Sequence, residues 1–402
     1  MIRYLLPKGA AVEIAPIFFA RALRGFADGF VAVLLPVYLL ALGLGSVEVG
    51  AIATATLLGS ALATLTVGAL GHRWHARTLM LGAALLMALT GLGFASLSSF
   101  WPLLLVAFIG TINPSSGDVS VFLPLEHAQI AAASNITTRT DTFARYALVG
   151  AMCAALGALA SGLPDRTVGL FGMLRLDALR AMFLLYGAVG VAVWFNYRAL
   201  PRDAEASATQ AAPLSASRGT VIKLAALFSV DSFAGGLVVN SLLALWMFQR
   251  FGLSLAAAGV FFFCSSLLGA VSQLAAPRLA KRIGLLNTMV FTHIPASLCL
   301  ISAAFVDNVQ VALGLLLARA LVSSMDVPAR SAFVMSVVQP HERAAAASFT
   351  AVPRSLAAAA SPLLAGWLFA SGWSAAPLVA CGLLKIAYDL ALWRAFRLVE
   401  AA

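Results

Sequence analysis

The sequence predicts an all-α membrane protein in which twelve transmembrane helices form two pseudo-symmetric six-helix bundles. Three observations support this fold class. Hydrophobic residues make up 61% of the 402 residues and charged residues only 10%, whereas about a quarter of an average soluble domain is charged. Long apolar stretches recur along the chain, and one pattern of residues occurs twice. Since a membrane-spanning helix needs roughly 20 mostly apolar residues, the chain accommodates about a dozen spans and no large soluble domain.

The repeated pattern consists of two pairs of matching segments, about half a chain length apart. Residues 24–29 read RGFADG, and residues 231–236 read DSFAGG. The second match comprises Asp118 and Arg145 in the first half and, in the same order, Asp326 and Arg354 in the second. A duplicated membrane bundle is the simplest source of such a pattern, and duplicated bundles usually enclose a path between their halves.

Glycine, proline and charged residues divide the apolar sequence into twelve predicted spans. Those of the first half are 15–42, 47–70, 78–97, 101–131, 139–162 and 177–199. Those of the second half are 221–249, 254–280, 286–306, 309–338, 343–371 and 374–396. We therefore predict an N-terminal bundle over residues 1–200, a cytoplasmic linker over 201–220 and a C-terminal bundle over 221–402. The linker is rich in alanine, serine and polar residues and is expected to have no packed structure of its own.

The formal charge of +10 is spread along the chain and forms no single stripe or tail, so the sequence does not favour nucleic-acid binding. Counted by alternate spans, one side carries Arg3, Lys8, Arg73, Arg77, Arg139, Arg198, Arg202, Arg218, Lys223, Lys281, Arg282, Arg343, Arg394 and Arg397. The other side carries Arg166, Arg175, Arg180 and Arg250. This bias predicts that both termini are cytoplasmic. We expect an integral protein of a bacterial cytoplasmic (inner) membrane, with the first span retained as a helix.

The cysteines and histidines give no metal or disulfide signature. Each cysteine lies within an apolar run, and no two share a CxxC spacing; they are Cys153, Cys264, Cys299 and Cys381. No two histidines have metal-ligand spacing, and His293 is interpreted as an isolated polar residue. The sequence therefore predicts no bound cofactor and no metal.

The loop after the second predicted span carries a recognisable local motif. Residues 68–77 read GALGHRWHAR. This segment resembles the basic loop between spans 2 and 3 of the major facilitator superfamily, Gly-x-x-x-Asp-Arg-x-Gly-Arg-Arg. Gly68, Arg73 and Arg77 match it, whereas His72 replaces the acid. In the family that acid helps to lock the cytoplasmic side through ion pairs, so the latch of this chain is left unassigned.

Other segments extend the resemblance over nearly the whole chain. Residues 281–284 read KRIG and repeat part of the loop motif, again without the acid. Residues 326–330 and 340–344 are similar to span 10 of the family and the loop that follows it. The resemblance implies the major facilitator fold and secondary transport of a small solute by alternating access, in which two halves rock about a central site.

Charged side chains inside the predicted spans are the informative residues, because each costs about 2.5 to 3.5 kcal/mol at the bilayer centre on insertion scales. They are Asp28, Asp118, Glu126, Arg145, Asp231, Arg319, Asp326, Arg330 and Arg354, with Arg21 and Arg24 nearer a helix end. Most lie on spans 1, 4, 7 and 10. In the family these four spans lead the lining of the central cavity.

Helical rise predicts which of these charges lie at similar depths. Asp326 and Arg354 both fall about 18 Å from the cytoplasmic edge, and Glu126 and Arg145 both fall about 8 Å from it. We therefore expect each pair to meet, the shallower one as a gating ion pair. Asp118 falls about 10 Å deeper than Arg145 and is predicted to be an unpaired acid near the midplane.

Two interpretations of the charges are open. In the functional one, Asp28, Asp118 or Asp231 takes up and releases a proton, since neither Asp28 nor Asp231 has an obvious local partner. The candidates for substrate binding or ion pairing are Arg24, Arg319, Asp326, Arg330, Arg354 and Asn113. In the alternative interpretation, the charges form structural ion pairs that fix the helix register and contact no solute.

Two further segments have open interpretations. Residues 113–117 read NPSSG, which either interrupts span 4 next to a substrate or forms a tolerated kink. Residues 357–366 contain Ser361 and Pro362 among small residues. They resemble the motif that antiporters of the superfamily carry in span 5, but here they lie in span 11, where close helix packing is the favoured use.

The leading functional hypothesis is a secondary active transporter of a small organic solute, with the proton as coupling ion. The alternatives are a drug or metabolite efflux antiporter of the same fold and a non-transporting membrane sensor or assembly protein. No GxxxxGK[ST] segment is present, which argues against direct drive by ATP. No nucleophile, base and acid can be placed together, which argues against an enzyme. The expected partners are a small-molecule substrate and membrane lipid, and the expected state is a monomer.

Overall fold

The computed structural model describes residues 14–70, 74–115, 120–134, 136–200, 215 and 217–398. In the described part of the first half the helices are α1 (Ala15–Ala41), α2 (Ser46–Leu70), α3 (Ala76–Ser96), α4 (Phe100–Ile109), α5 (Phe122–Ala133), α6 (Ile136–Ala160), α7 (Leu163–Phe171) and α8 (Arg175–Tyr197). Ten helical segments within the described residues of the whole chain are long and apolar enough to cross a membrane. The all-α membrane fold is therefore confirmed.

The second half repeats this organisation. Its described helices are α9 (Arg218–Gly236), α10 (Asn240–Phe251), α11 (Leu255–Ile283), α12 (Leu285–Phe305), α13 (Val309–Ser323), α14 (Asp326–Val337), α15 (Arg343–Ala370) and α16 (Ala376–Phe396). A 3₁₀ turn, Pro340–Glu342, precedes α15. The predicted spans 101–131 and 343–371 are not among the ten long apolar segments and correspond to the pair α4 and α5 and to α15.

Local sequence explains where several helices begin. The Ser254 hydroxyl accepts a hydrogen bond from the backbone N–H of Ala257 at the start of α11, at 3.1 Å. The Asn308 side chain accepts from the N–H groups of Gln310 and Val311 at the start of α13, at 2.9 and 3.2 Å. Such caps satisfy N–H groups that the first turn of a helix leaves without an intrahelical acceptor.

Spans 4, 7 and 10 are each built from two helices. Span 4 is interrupted between α4 and α5, span 7 between α9 and α10, and span 10 between α13 and α14. The first two interruptions meet, since the backbone N–H of Ser241 donates to the carbonyl oxygen of Pro114 at 3.0 Å. Interrupted helices at membrane depth are tolerated where protein or a water-filled cavity satisfies the freed backbone groups. These three spans therefore mark the interior of the bundle.

The two halves pack together mainly along two helix pairs, α2 with α15 and α6 with α11, with a smaller contact between α1 and α10. A side chain on Gly50 would come within 2.5 Å of the carbonyl oxygen of Pro362, and one on Gly366 within 2.4 Å of that of Ser46. The prediction that residues 357–366 serve close helix packing is thus confirmed. At the α6 and α11 contact, a side chain on Gly259 would come within 2.5 Å of the carbonyl oxygen of Ala158. These glycines allow the backbones of the two halves to touch.

Away from these glycine contacts, cavities separate the halves. One of about 500 Å³ lies between α6 and α11 and reaches Ser324 and Ser331 at the interruption of span 10. Another of about 290 Å³ lies between α2, α5 and α15 and is lined by His127 and Ser355. The halves are therefore in contact at one end of α6 and α11 and apart along the middle of these helices.

Candidate functional site: two buried charge clusters

The N-terminal half contains an ion pair between Arg24 of α1 and Glu126 of α5. The two side chains are 2% and 0% exposed. The hydroxyl of Tyr146 donates to Glu126 Oε2, and that of Tyr197 donates to Oε1 at 2.5 Å. The guanidinium of Arg24 also stacks over the ring of Phe122, 4.1 Å from its centroid. Helices α1, α5, α6 and α8 are thus joined at a single carboxylate. We call Arg24, Glu126, Tyr146 and Tyr197 the N-cluster.

The predicted gating pair of Glu126 with Arg145 is wrong. Arg145 Nε donates instead to Asp141 Oδ2 at 3.0 Å, one turn away on α6. Both of these side chains are well exposed, at 38% and 52%. Equal depth along two helices does not make their side chains face each other, because rotation about each helix axis sets the direction of the side chain. Arg24, from a third helix, faces Glu126 instead.

The C-terminal half contains a chain of hydrogen-bonded ionisable groups. Lys385 of α16 donates from Nζ to Asp231 Oδ1 of α9 at 2.6 Å, and the same Nζ lies 3.3 Å from Nε2 of His293 on α12. On the other side of the ring, Nδ1 of His293 lies 3.1 Å from Oδ1 of Asp389. Every one of these residues lies within a membrane-spanning helix. We call Asp231, Lys385, His293 and Asp389 the C-chain.

Arg330 of α14 connects the C-chain to span 10. Its Nη1 lies 3.3 Å from Asp231 Oδ2, and its Nη2 binds the carboxylate of Asp326, one turn earlier on α14. The predicted pairing of Asp326 with Arg354 is therefore wrong, since Arg330 takes that place. Arg354 Nε instead donates to the Ser232 hydroxyl of α9 at 3.3 Å. Arg319 is half-buried on α13.

Comparison with known proteins establishes the family. A model described as Major Facilitator Superfamily matches residues 17–325 and, in an overlapping second match, residues 228–401. The chain belongs to the Major Facilitator Superfamily. A relative from Saccharomyces cerevisiae, named Uncharacterized membrane protein YJR124C, is 23% identical over an alignment 430 positions long, which covers 98% of this chain and 96% of that protein.

Solved structures of superfamily transporters share the fold at low sequence identity. The nucleoside transporter NupG is 14% identical, with a TM-score of 0.73, over 96% of this chain and 100% of that one. The xylose transporter XylE from E. coli, in an inward open conformation, is 14% identical with a TM-score of 0.72, over 97% of each chain. The human organic anion transporter MFSD10 is 18% identical with a TM-score of 0.62, over 95% of this chain and 100% of that one. At these identities the comparison shows the fold alone.

The remaining predicted residues of this superfamily member have varied surroundings. Asp28 is half-buried, one turn beyond Arg24 on α1. Asp118 lies outside the described residues. Asn113 is buried where span 4 is interrupted, and its side-chain oxygen accepts from the backbone N–H and the hydroxyl of Ser115, at 3.1 and 2.7 Å. Such a local turn stabilises the end of a helix segment.

Only part of the loop motif is described. Gly68 lies at the end of α2, and Arg77 donates to the carbonyl oxygen of Arg198 at 2.5 Å. This bond ties the start of α3 to the end of α8 within the N-terminal half. His72 and Arg73 lie outside the described residues.

Three members of the C-chain were missed from the sequence. Lys385 and Asp389 lie within an apolar span, and that fact alone could have singled them out, as it did Asp231. His293 was predicted to be an isolated polar residue, and this was wrong, because α12 places its ring between Lys385 and Asp389. Asp231 also has three basic neighbours, contrary to the expectation that it had no obvious partner.

Proposed function

We propose that this protein is a secondary active transporter that carries a small organic solute across the membrane by alternating access, with a proton as the coupling ion. The observation that carries the proposal is the C-chain, a row of buried ionisable groups that joins α9, α12 and α16. Contact between the halves at glycines such as Gly259, with cavities between the halves elsewhere, suits a carrier open to one side. By the predicted topology, that side is the cytoplasm.

The partners of His293 fix its neutral tautomer. The ammonium group of Lys385 can only donate, so Nε2 of His293 must accept from it. Nδ1 then carries the ring proton and donates to Asp389. In this state Lys385 is held between the ring and Asp231, with Nζ at 3.3 Å from Nε2 and 2.6 Å from Oδ1.

Adding a proton to His293 changes these contacts. A protonated Nε2 no longer accepts from Lys385, and two like charges then face each other at short range. Because Nε2 lies 4.0 Å from Asp231 Oδ1, the imidazolium competes with Lys385 for that carboxylate. Protonation at His293 therefore loosens the link between α9 and α16, and such a change couples a proton to a movement of helices.

Three further side chains surround the C-chain at the site of this exchange. Arg330 holds the second oxygen of Asp231, and Asp326 in turn binds Arg330. The ring of Tyr388 packs edge-on to that of His293, at 6.3 Å between centroids. Because Arg330 occupies the second oxygen of Asp231, the proposed exchange at Oδ1 requires only Lys385 and His293 to change partners.

The test separates transport from coupling. Purified protein in proteoliposomes is screened by counterflow against nucleosides, sugars and organic anions, the classes named for the transporters of similar fold. Counterflow exchanges solute without a net proton movement. The His293→Gln variant should therefore retain counterflow of a substrate found for the wild type, yet lose accumulation driven by a pH gradient. His341→Gln, in the exposed loop before α15, is the matched control.

Two results would contradict the proposal. Gradient-driven accumulation by His293→Gln equal to that of the wild type would remove the proton role from this residue. Failure of the wild type to exchange any solute class would favour the sensor or assembly alternative. A pH indicator inside the vesicles reports whether solute and proton move in the same direction, which distinguishes uptake from efflux antiport.

A further inference from the structure

Among the charged groups that are buried or half-buried in the described helices of the C-terminal half, fixed positive charges outnumber negative ones. The carboxylates are Asp231, Asp326 and Asp389, and the permanently charged bases are Arg319, Arg330, Arg354 and Lys385. Each carboxylate already has a basic partner: Lys385 and Arg330 for Asp231, Arg330 for Asp326, and His293 for Asp389. The four bases thus outnumber the three carboxylates by one. Because Asp389 is bonded to the neutral His293 ring, two bases, Arg319 and Arg354, have no acidic partner among the described residues.

Arg354 has no ion pair with any described residue. Among the described residues it makes one hydrogen bond, in which Nε donates to the Ser232 hydroxyl at 3.3 Å. Its terminal nitrogens Nη1 and Nη2 make no hydrogen bond with these residues. The side chain is half-buried, and it lies within electrostatic range of Arg330, Asp231 and Asp326. It therefore faces the interior of the half, while the acids near it are held by other bases.

Arg319 resembles Arg354 in this respect. It forms no ion pair and no hydrogen bond with the described residues, and it lies within electrostatic range of Cys381 on α16. Arg319 is ten residues from the start of α13 and Arg354 is eleven from the start of α15, at the opposite end of the bundle. At 1.5 Å per residue, both lie about 15 Å from their own end, and hence at a similar depth.

An unpaired cation at mid-depth is unfavourable in a membrane protein unless it faces a water-filled path or meets an anion there. A guanidinium suits the second case, because its planar fork binds the two oxygens of a carboxylate or phosphate group. In Arg354, the two terminal nitrogens that form this fork have no acceptor among the residues that the structure describes.

We propose that the transported solute carries an anionic group, a carboxylate or a phosphate, and that Arg354 binds this group through its terminal nitrogens. Ser232 orients the guanidinium through Nε, and Arg319 supplies the second positive charge at this depth. This inference rests on the proposed transport function and specifies the class of its substrate.

The test uses the full chain in detergent and three matched pairs of compounds: benzoate with benzamide, gluconate with glucose, and uridine 5′-monophosphate with uridine. Thermal shifts at graded concentrations give an apparent Kd for each compound. For at least one pair, the anion should bind the wild type at least 10-fold more tightly than its neutral partner. Arg354→Gln should lose that preference, and Arg354→Lys should keep part of it.

Two controls accompany these variants. Arg282→Gln removes the same charge at the exposed end of α11 and should leave the preference unchanged. Without ligand, Arg354→Gln should unfold at the same temperature as the wild type or a higher one, because it removes a charge that has no ion pair with the described residues. This readout shows that the variant is folded, and Arg319→Gln provides a second variant that should weaken the anion several-fold.

The outcomes are distinct. Equal binding of anion and neutral partner in every pair, no binding of any anion, or an unchanged preference in Arg354→Gln would each overturn the inference. Counterflow of a neutral solute by the wild type would overturn it and leave the transport function standing. Binding of an anion that depends on Arg354, with no counterflow of any compound, would support the site and contradict transport.

Discussion

Arg24 and Asp231 occupy corresponding positions in the two sequence repeats but carry opposite charges. Each is buried in an ion pair, Arg24 with a residue of span 4 and Asp231 with a residue of span 10. Arg24 binds Glu126 of α5, and Asp231 binds Arg330 of α14. The equivalent helix pairs of the two halves are thus both joined by a buried ion pair, but the positions of the acid and the base are exchanged. The partners differ in consequence: two tyrosines complete the bonding of Glu126, whereas Asp231 continues into Lys385 and His293.

The N-cluster is expected to be a structural element. Glu126→Gln leaves Arg24 buried without a counter-ion, which typically costs about 3 to 5 kcal/mol. We expect a lower unfolding temperature and a reduced yield of folded protein, measured by thermal unfolding in detergent. Asp141→Asn removes the exposed partner of Arg145 and should cost less than about 1 kcal/mol. Equal stability of the two variants would contradict a structural role for the cluster.

Close approach of the halves should depend on Gly50. A leucine there has no room against Pro362 and Gly366 and should separate α2 from α15. The measurement is disulfide formation between cysteines at Ser46 and Gln249, whose side chains are hydrogen-bonded at 2.9 Å. We expect the yield to fall several-fold with Gly50→Leu and to stay unchanged with Gly82→Leu, where no neighbour lies within 4 Å of an added Cβ atom. An unchanged yield in both would show that this contact does not hold the halves together.

Glu342 should anchor the end of the linker. Its carboxylate accepts from the N–H and hydroxyl of Ser215, both at 2.6 Å, and from the N–H of Ser217 at 2.9 Å. These bonds lower the pKa of Glu342 from 4.5 to about 2. A lowered pKa in the folded state means that the contribution to stability is complete above pH 4.5 and is lost as the pH falls towards 2.

The anchor can be tested at neutral pH by hydrogen exchange. Glu342→Gln removes the charge and should speed amide exchange at Ser217 and the first turn of α9. The control is Glu48→Gln, which alters a carboxylate that accepts from the N–H of Gly45 at the other end of the bundle. It should leave amide exchange at Ser217 and in the first turn of α9 unchanged. If exchange at Ser217 were as slow in Glu342→Gln as in the wild type, the carboxylate would not be the anchor.

The membrane orientation is a prediction from the distribution of basic residues. A reporter fused after Ala208, within the linker, should be active as a cytoplasmic reporter. One fused after Gly252, between α10 and α11, should report the periplasm. The reversed pattern would invert the topology and with it the side to which the cavities open.

Several expectations from the sequence are confirmed, and each rests on residues that are close together along the chain. The all-α membrane fold follows from runs of apolar residues. The close packing of residues 357–366 follows from their small size, and the backbone around Pro114 is non-helical, as one interpretation of that segment required. The roles of Asp28, Asp118 and Asp231 in proton coupling remain predictions.

The amino-acid sequence by itself determined that this chain lies in a membrane, where its helices run and which of them carry charges, because hydropathy over about 20 residues depends only on neighbours along the chain. Only the tertiary structure decided which charges meet. Arg24 finds Glu126 across 102 residues, and Asp231 finds Lys385 across 154. Such partners depend on the rotation of each helix about its axis and on packing at glycines, and a shift of one residue turns a side chain by about 100°.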